Sequence, residues 1–108
     1  MAVPSIVDYF VENDTKPWIA VIWEGEDISG YAIALNVKRH NGTRFVLAAT
    51  VDDVGIPASN IPARFHFEWA SDSLTPAGTY DAEIEITDAG SFVQTIGRIK
   101  LIVRKEFD

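Results

Sequence analysis

The sequence predicts an all-β protein, an antiparallel sandwich of two sheets built from about seven strands. Three observations predict it. Apolar residues recur mostly with period two, the signature of strands with one face buried and one in water. Turn-forming residues (Asn41-Gly42, Pro76 to Gly78, Asp88-Ala89-Gly90) punctuate the chain between these runs. No stretch long enough for a stable helix carries a helical period. The chain has 108 residues and shows no composition shift, repeat or low-complexity tract, so residues 1–108 read as a single domain.

The elements follow in order. Residues 6–11 read as a first strand, turned by Asn13-Asp14-Thr15. Residues 17–23 read as the second. That run is apolar on both faces. If Ile19, Val21 and Trp23 face the core, then Trp18, Ala20 and Ile22 form an outer apolar strip. The strip is the candidate interface of this chain, unless the N-terminal arm or a loop covers it. Glu24 to Asp27 make a polar turn. Residues 30–39 place Tyr31, Ile33, Leu35 and Val37 on one face.

Asn41-Gly42 predicts a two-residue type I′ hairpin, because both residues tolerate positive φ. The return strand covers residues 43–51. Residues 52–62 hold two prolines and a glycine and read as a long loop crossing between sheets. Phe65, Phe67 and Trp69 then form an inward stripe, with Arg64, His66 and Glu68 outward. In the last pair, Tyr80, Ala82, Ile84 and Ile86 alternate with Asp81, Glu83 and Glu85. The final strand spans about residues 92–104, with Ile99, Leu101 and Val103 inward. A bulge-free register sets Ile86 opposite Val93 and Asp81 opposite Arg98, with Glu83 diagonal to the arginine.

Tyr80 opens its strand in the spacing Gly-x-Tyr-x-Ala, just after Pro76 and Gly78. An immunoglobulin-like sandwich carries its tyrosine corner at such a place. The expectation is a buried ring whose hydroxyl bonds to backbone within residues 74–77, rather than an ordinary half-buried strand tyrosine. Pro76 and Gly78 would shape the arch. Ala82 stands where antibody domains keep a cysteine, and a small apolar residue suits a chain without cysteine.

Composition narrows the function. The net charge is −7, which disfavours a phosphate backbone as partner and so excludes nucleic acid. The lack of cysteine fits folding in a reducing cytoplasm. The N-terminus has no basic start and no long apolar run, so neither a signal peptide nor a membrane-spanning stretch is expected.

No motif carries catalysis, and the chain reads as a non-enzyme without cofactor or metal. Asp81, Glu83, Glu85 and Asp88 could form an acidic cluster. They lie on an exposed strand opposite Arg98 and Lys100, where a solvated, partly paired face is the simpler reading. Glu24-Gly25-Glu26-Asp27 is too short for a calcium loop. His40 and His66 stand on different elements with no cysteine, which does not make a zinc site. Ser71 and Ser73 have no histidine partner and no nucleophile elbow. Trp18 and Trp23 could serve as a sugar platform, whereas Trp69 continues the core stripe.

Several short motifs carry a resemblance. They are Asn13-Asp14-Thr15, Asp27-Ile28-Ser29-Gly30-Tyr31, Phe67-Glu68-Trp69, Ala77-Gly78-Thr79-Tyr80-Asp81-Ala82-Glu83-Ile84, and Gly97-Arg98-Ile99. Together they resemble small immunoglobulin-like proteins of tailed bacteriophages, in particular the N-terminal domain of siphophage baseplate and tail proteins. The likeness spans about residues 6–104. Asn13 departs from the usual glycine of that turn, and no fibre or receptor-binding segment follows. The resemblance implies a virion component of the tail or baseplate, made in the host bacterial cytoplasm. It implies other virion proteins and further copies of the chain as partners, and neither catalysis nor a cofactor. A carbohydrate- or cell-surface-binding module is the alternative.

Overall fold

The computed structural model describes residues 5–16 and 18–105, with side chains from Phe10 onward. Eight strands and one short 3-10 turn make up the regular structure of these residues. The strands are β1 (Ser5–Val11), β2 (Ile19–Trp23), β3 (Ala32–Lys38), β4 (Arg44–Ala48), β5 (Thr50–Asp53), β6 (Ala63–Phe67), β7 (Gly78–Thr87) and β8 (Val93–Arg104). Five form one sheet in the order β1-β8-β7-β3-β4, and three form the other in the order β2-β6-β5. The all-β sandwich expected from the sequence is present, with an immunoglobulin-like strand order. Seven strands become eight, and one pair, β1 with β8, is parallel.

Alternation builds the core. Ile33, Leu35 and Val37 of β3, Phe65 and Phe67 of β6, and Tyr80, Ala82, Ile84 and Ile86 of β7 are all buried. Ile99, Leu101 and Val103 of β8 complete the layer between the sheets, with Ile28, Trp69 and Leu74 at its ends. Each fully buried large side chain contributes about 1.5–3 kcal/mol relative to exposure. Phe65 and Phe67 meet edge to face at 5.8 Å, and Phe10 meets Trp69 in the same way at 5.3 Å.

Four expectations need correction. The run over residues 43–51 is two strands. The chain changes sheets at Ala49, between β4 and β5, where the Ala49 N–H donates to the Ile33 carbonyl at 2.9 Å. The loop after β5 therefore crosses nothing; it joins two neighbouring antiparallel strands and is closed by an Ile56–Ile61 bridge. Periodicity could not show this, because apolar alternation runs through the sheet change without a break.

The Asn41-Gly42 turn is not type I′. Gly42 has φ 89°, but Asn41 does not share the positive φ. Gly42 N–H donates to Arg39 O at 2.9 Å, and Arg39 N–H donates to Thr43 O at 2.7 Å. This is the three-residue hairpin with glycine in the left-handed position. The Asn41 side chain instead accepts from Thr43 N–H at 3.0 Å and from Thr43 Oγ1 at 2.7 Å.

The β7–β8 register contains a bulge after Ile84, where Ile96 is the extra residue. Both Ile96 and Gly97 are buried there. At the turn the register is already one residue from the expected one, with Ile86 facing Gln94, and the bulge adds one more, so that Glu83 faces Arg98 and Asp81 faces Lys100. Arg98 Nε lies 3.5 Å from Glu83 Oε1, an exposed pair worth at most about 1 kcal/mol.

Candidate interface and corner

β2 is an edge strand, and its parity is the one the sequence implies. Ile19 is buried and Val21 and Trp23 half-buried, while Trp18, at 43% exposure, and Ile22, at 58%, face solvent together with Ala20. Pro17 lies outside the described residues. The strip Trp18/Ala20/Ile22 thus sits on the outer face of the three-stranded sheet, beside the strand's open edge.

Past that edge the described residues do not close the sandwich. A groove of about 530 Å³ runs between β2 and the other sheet, bordered by Trp18, Trp23, Ile84, Ile96, Arg98 and Ile99. The indole Nε1 of Trp23 is buried and has no acceptor among the described residues. An unmet buried donor costs about 1–3 kcal/mol.

His66 organises the outer face. It neighbours Ala20 on β2 and Thr50 on β5. Nδ1 lies 2.8 Å from Asp52 Oδ2, and Nε2 lies 2.9 Å from Glu68 Oε2. Hydrogen bonds to Asp52 and Glu68 push the imidazole pKa above its ordinary value, against the opposing effect of burial. The Trp18 ring stacks on the imidazole at 4.7 Å and 11° from parallel, and Lys16 Nζ lies 5.2 Å from the indole. Indole, imidazole and two carboxylates thus form one patch. Sequence reasoning placed His66 and Glu68 on one face by their spacing. It missed Asp52, which only the β5–β6 pairing brings in.

At the opposite end of the strands, Tyr80 is fully buried and its hydroxyl donates to the Pro76 carbonyl. Burial pushes the phenol pKa up, with the Arg39 charge opposing. The arch is held from both sides. Ala77 N–H donates to Glu12 Oε2 at 3.0 Å, and Asn13 N–H donates to Leu74 O at 3.0 Å. Ser73 Oγ accepts from Ala70 N–H at 2.9 Å, so that serine serves the turn. Gly78 packs directly on His40; a Cβ at Gly78 would stand 2.6 Å from the His40 Cβ and Cγ. Arg39 donates to Asp72 O at 3.2 Å and lies 4.3 Å above the Phe45 ring.

The acidic groups are accounted for locally. Asp27 Oδ1 accepts from Ser29 N–H at 2.9 Å and Oγ at 2.6 Å, which holds that carboxyl below its usual range. Glu85 accepts from Asn36 Nδ2 at 3.2 Å. Asp88 Oδ1 accepts from Gly90 and Phe92 N–H in the β7–β8 turn. Among the described residues, no group of three or more His, Cys, Asp or Glu side chains is arranged to hold a metal ion.

No family model and no curated protein matches this chain.

Proposed function

We propose that this protein is a non-catalytic structural component of a tailed-bacteriophage virion, of its tail or baseplate, acting through protein–protein contact. One observation carries the contact reading. An uncharged edge strand presents Trp18, Ala20 and Ile22 to solvent next to an apolar groove. Edge strands are ordinarily blunted by charge, proline or a cover, and an apolar patch beside an open edge marks an interaction surface. The virion assignment rests on the motif resemblance of residues 6–104, and the immunoglobulin-like strand order agrees with it. In this reading the chain is synthesised in the bacterial cytoplasm and resides in the particle.

The test is immunogold labelling and mass spectrometry of tailed particles produced by the bacterium that carries the gene. Label at the tail or its tip supports the assignment; particles free of the protein overturn it.

A second reading has an observation of its own. The Trp18 ring is part exposed, with the Asp52 and Glu68 carboxylates around the same histidine. Stacking ring plus carboxylate acceptors is the chemistry that grips a sugar. Quenching or shift of tryptophan emission by a host glycan, lost in Trp18→Ala, would favour this carbohydrate-binding alternative.

A further inference from the structure

We propose that two copies of this chain join through β2, antiparallel about Val21, merging two three-stranded sheets into one continuous sheet. The proposal rests on the subunit-contact reading above and names the partner.

Four observations lead there. First, among the described residues β2 is the only edge strand without charge. Its sequence is Ile-Ala-Val-Ile-Trp, whereas β1 contains Asp8, β4 contains Arg44, and β5 contains Asp52 and Asp53. A second strand of the same kind therefore approaches without like-charge repulsion, even though each copy carries −7. Second, among the described residues the space beside β2 is open. The groove offers room along the strand.

Third, the strand complements itself. Antiparallel alignment about Val21 sets Ala20 opposite Ile22 of the second copy on the outer face. A small residue thus meets a large one, twice by symmetry. Fourth, the flanks have opposite sign. Lys16 precedes β2, and Glu24 and Glu26 follow it. Antiparallel alignment brings the Lys16 end of one copy to the Glu24 end of the other. Parallel alignment sets acid against acid and base against base. The charges thus select both the second copy and its direction.

Sedimentation velocity on the full chain, over a concentration series, tests this. The expected result is a monomer–dimer equilibrium. Ala20→Glu with Ile22→Glu puts carboxylates on the outer face and should leave only monomer, with an unchanged circular-dichroism spectrum. Lys16→Glu alone and Glu24→Lys alone should each weaken dimerisation by on the order of tenfold, from two symmetric charge contacts. The double variant Lys16→Glu/Glu24→Lys should restore it. Both charge sites lie outside the strand and leave its fold intact.

A wild type that stays monomeric at every concentration overturns the proposal. So does a dimer indifferent to these substitutions, or one that the double charge reversal fails to restore. A monomeric result leaves the virion assignment standing, since particle labelling tests that separately.

Discussion

Trp18 lies flat on His66, ring on ring at 4.7 Å, while one carboxylate from β5 and one from just past β6 hold both imidazole nitrogens. A neutral imidazole has one N–H, so it can donate to only one of Asp52 and Glu68; the protonated ring donates to both. The patch is therefore most coherent with His66 charged. Its surroundings are Asp52 on β5, Glu68 after β6, and Lys16 over the indole before β2.

The direction of the pH dependence follows. The folded-state pKa of His66 is raised. Its stabilising effect is thus fully present below the unfolded value, about 6.5, and is lost as pH rises through the folded value. Urea midpoints should fall as pH goes from about 6 to about 9, and this fall should be absent in His66→Gln. Identical slopes in the two proteins would exclude the effect. A carbon-bound proton NMR titration of His66 reads the raised pKa directly.

Tyr80→Phe keeps the ring and deletes the bond to Pro76. The carbonyl of Pro76, an exposed residue, then loses its donor, and the protein should be less stable by about 0.5–1.5 kcal/mol with the fold retained. Chemical denaturation monitors the loss. An unchanged midpoint means that the hydroxyl contributes nothing to the arch.

Gly78→Ala forces a methyl group onto His40, 2.6 Å from its Cβ. Either β7 or the β3–β4 hairpin must shift, at a cost of about 1–3 kcal/mol. His40→Ala should not relieve it, because the Cβ is itself in the way, but His40→Gly should recover part of the loss. Thermal melts of the two double variants separate these outcomes.

Arg39→Lys is not conservative here. The guanidinium covers Phe45 and reaches both Asp72 O and Thr43 Oγ1, with its Nε buried and unpaired among the described residues. Lysine keeps the charge but loses the flat stacking surface and the fork. A loss of about 1–2 kcal/mol is expected in urea titrations, with wild-type behaviour counting against a structural role for the fork.

What the sequence made legible was each strand's inside and outside. Tyr80, Ala82, Ile84 and Ile86 declared the buried face of β7 by alternation alone, and Trp18, Ala20 and Ile22 declared the outer face of β2. Pairing between strands was less legible. The extra residue at Ile96 is invisible because Thr95, Ile96 and Gly97 read equally well in either register. The change of sheet at Ala49 leaves no mark because an alanine is acceptable on both sides of it. The His66 patch stayed hidden for the same reason. Glu68 is two residues away, but Asp52 joins only through β5 lying beside β6. The hairpin at Asn41 misled because asparagine used its side chain to bond Thr43 instead of taking a left-handed backbone.

The parallel pairing of β1 with β8 sets a limit on biosynthesis. Residues 5–11 leave the ribosome well before residues 98–104, the strand they pair with. The nascent chain must hold an unmatched apolar segment until that partner strand has been translated. Completion of the five-stranded layer is therefore a late step in the folding of this domain, one that joins widely separated stretches of sequence.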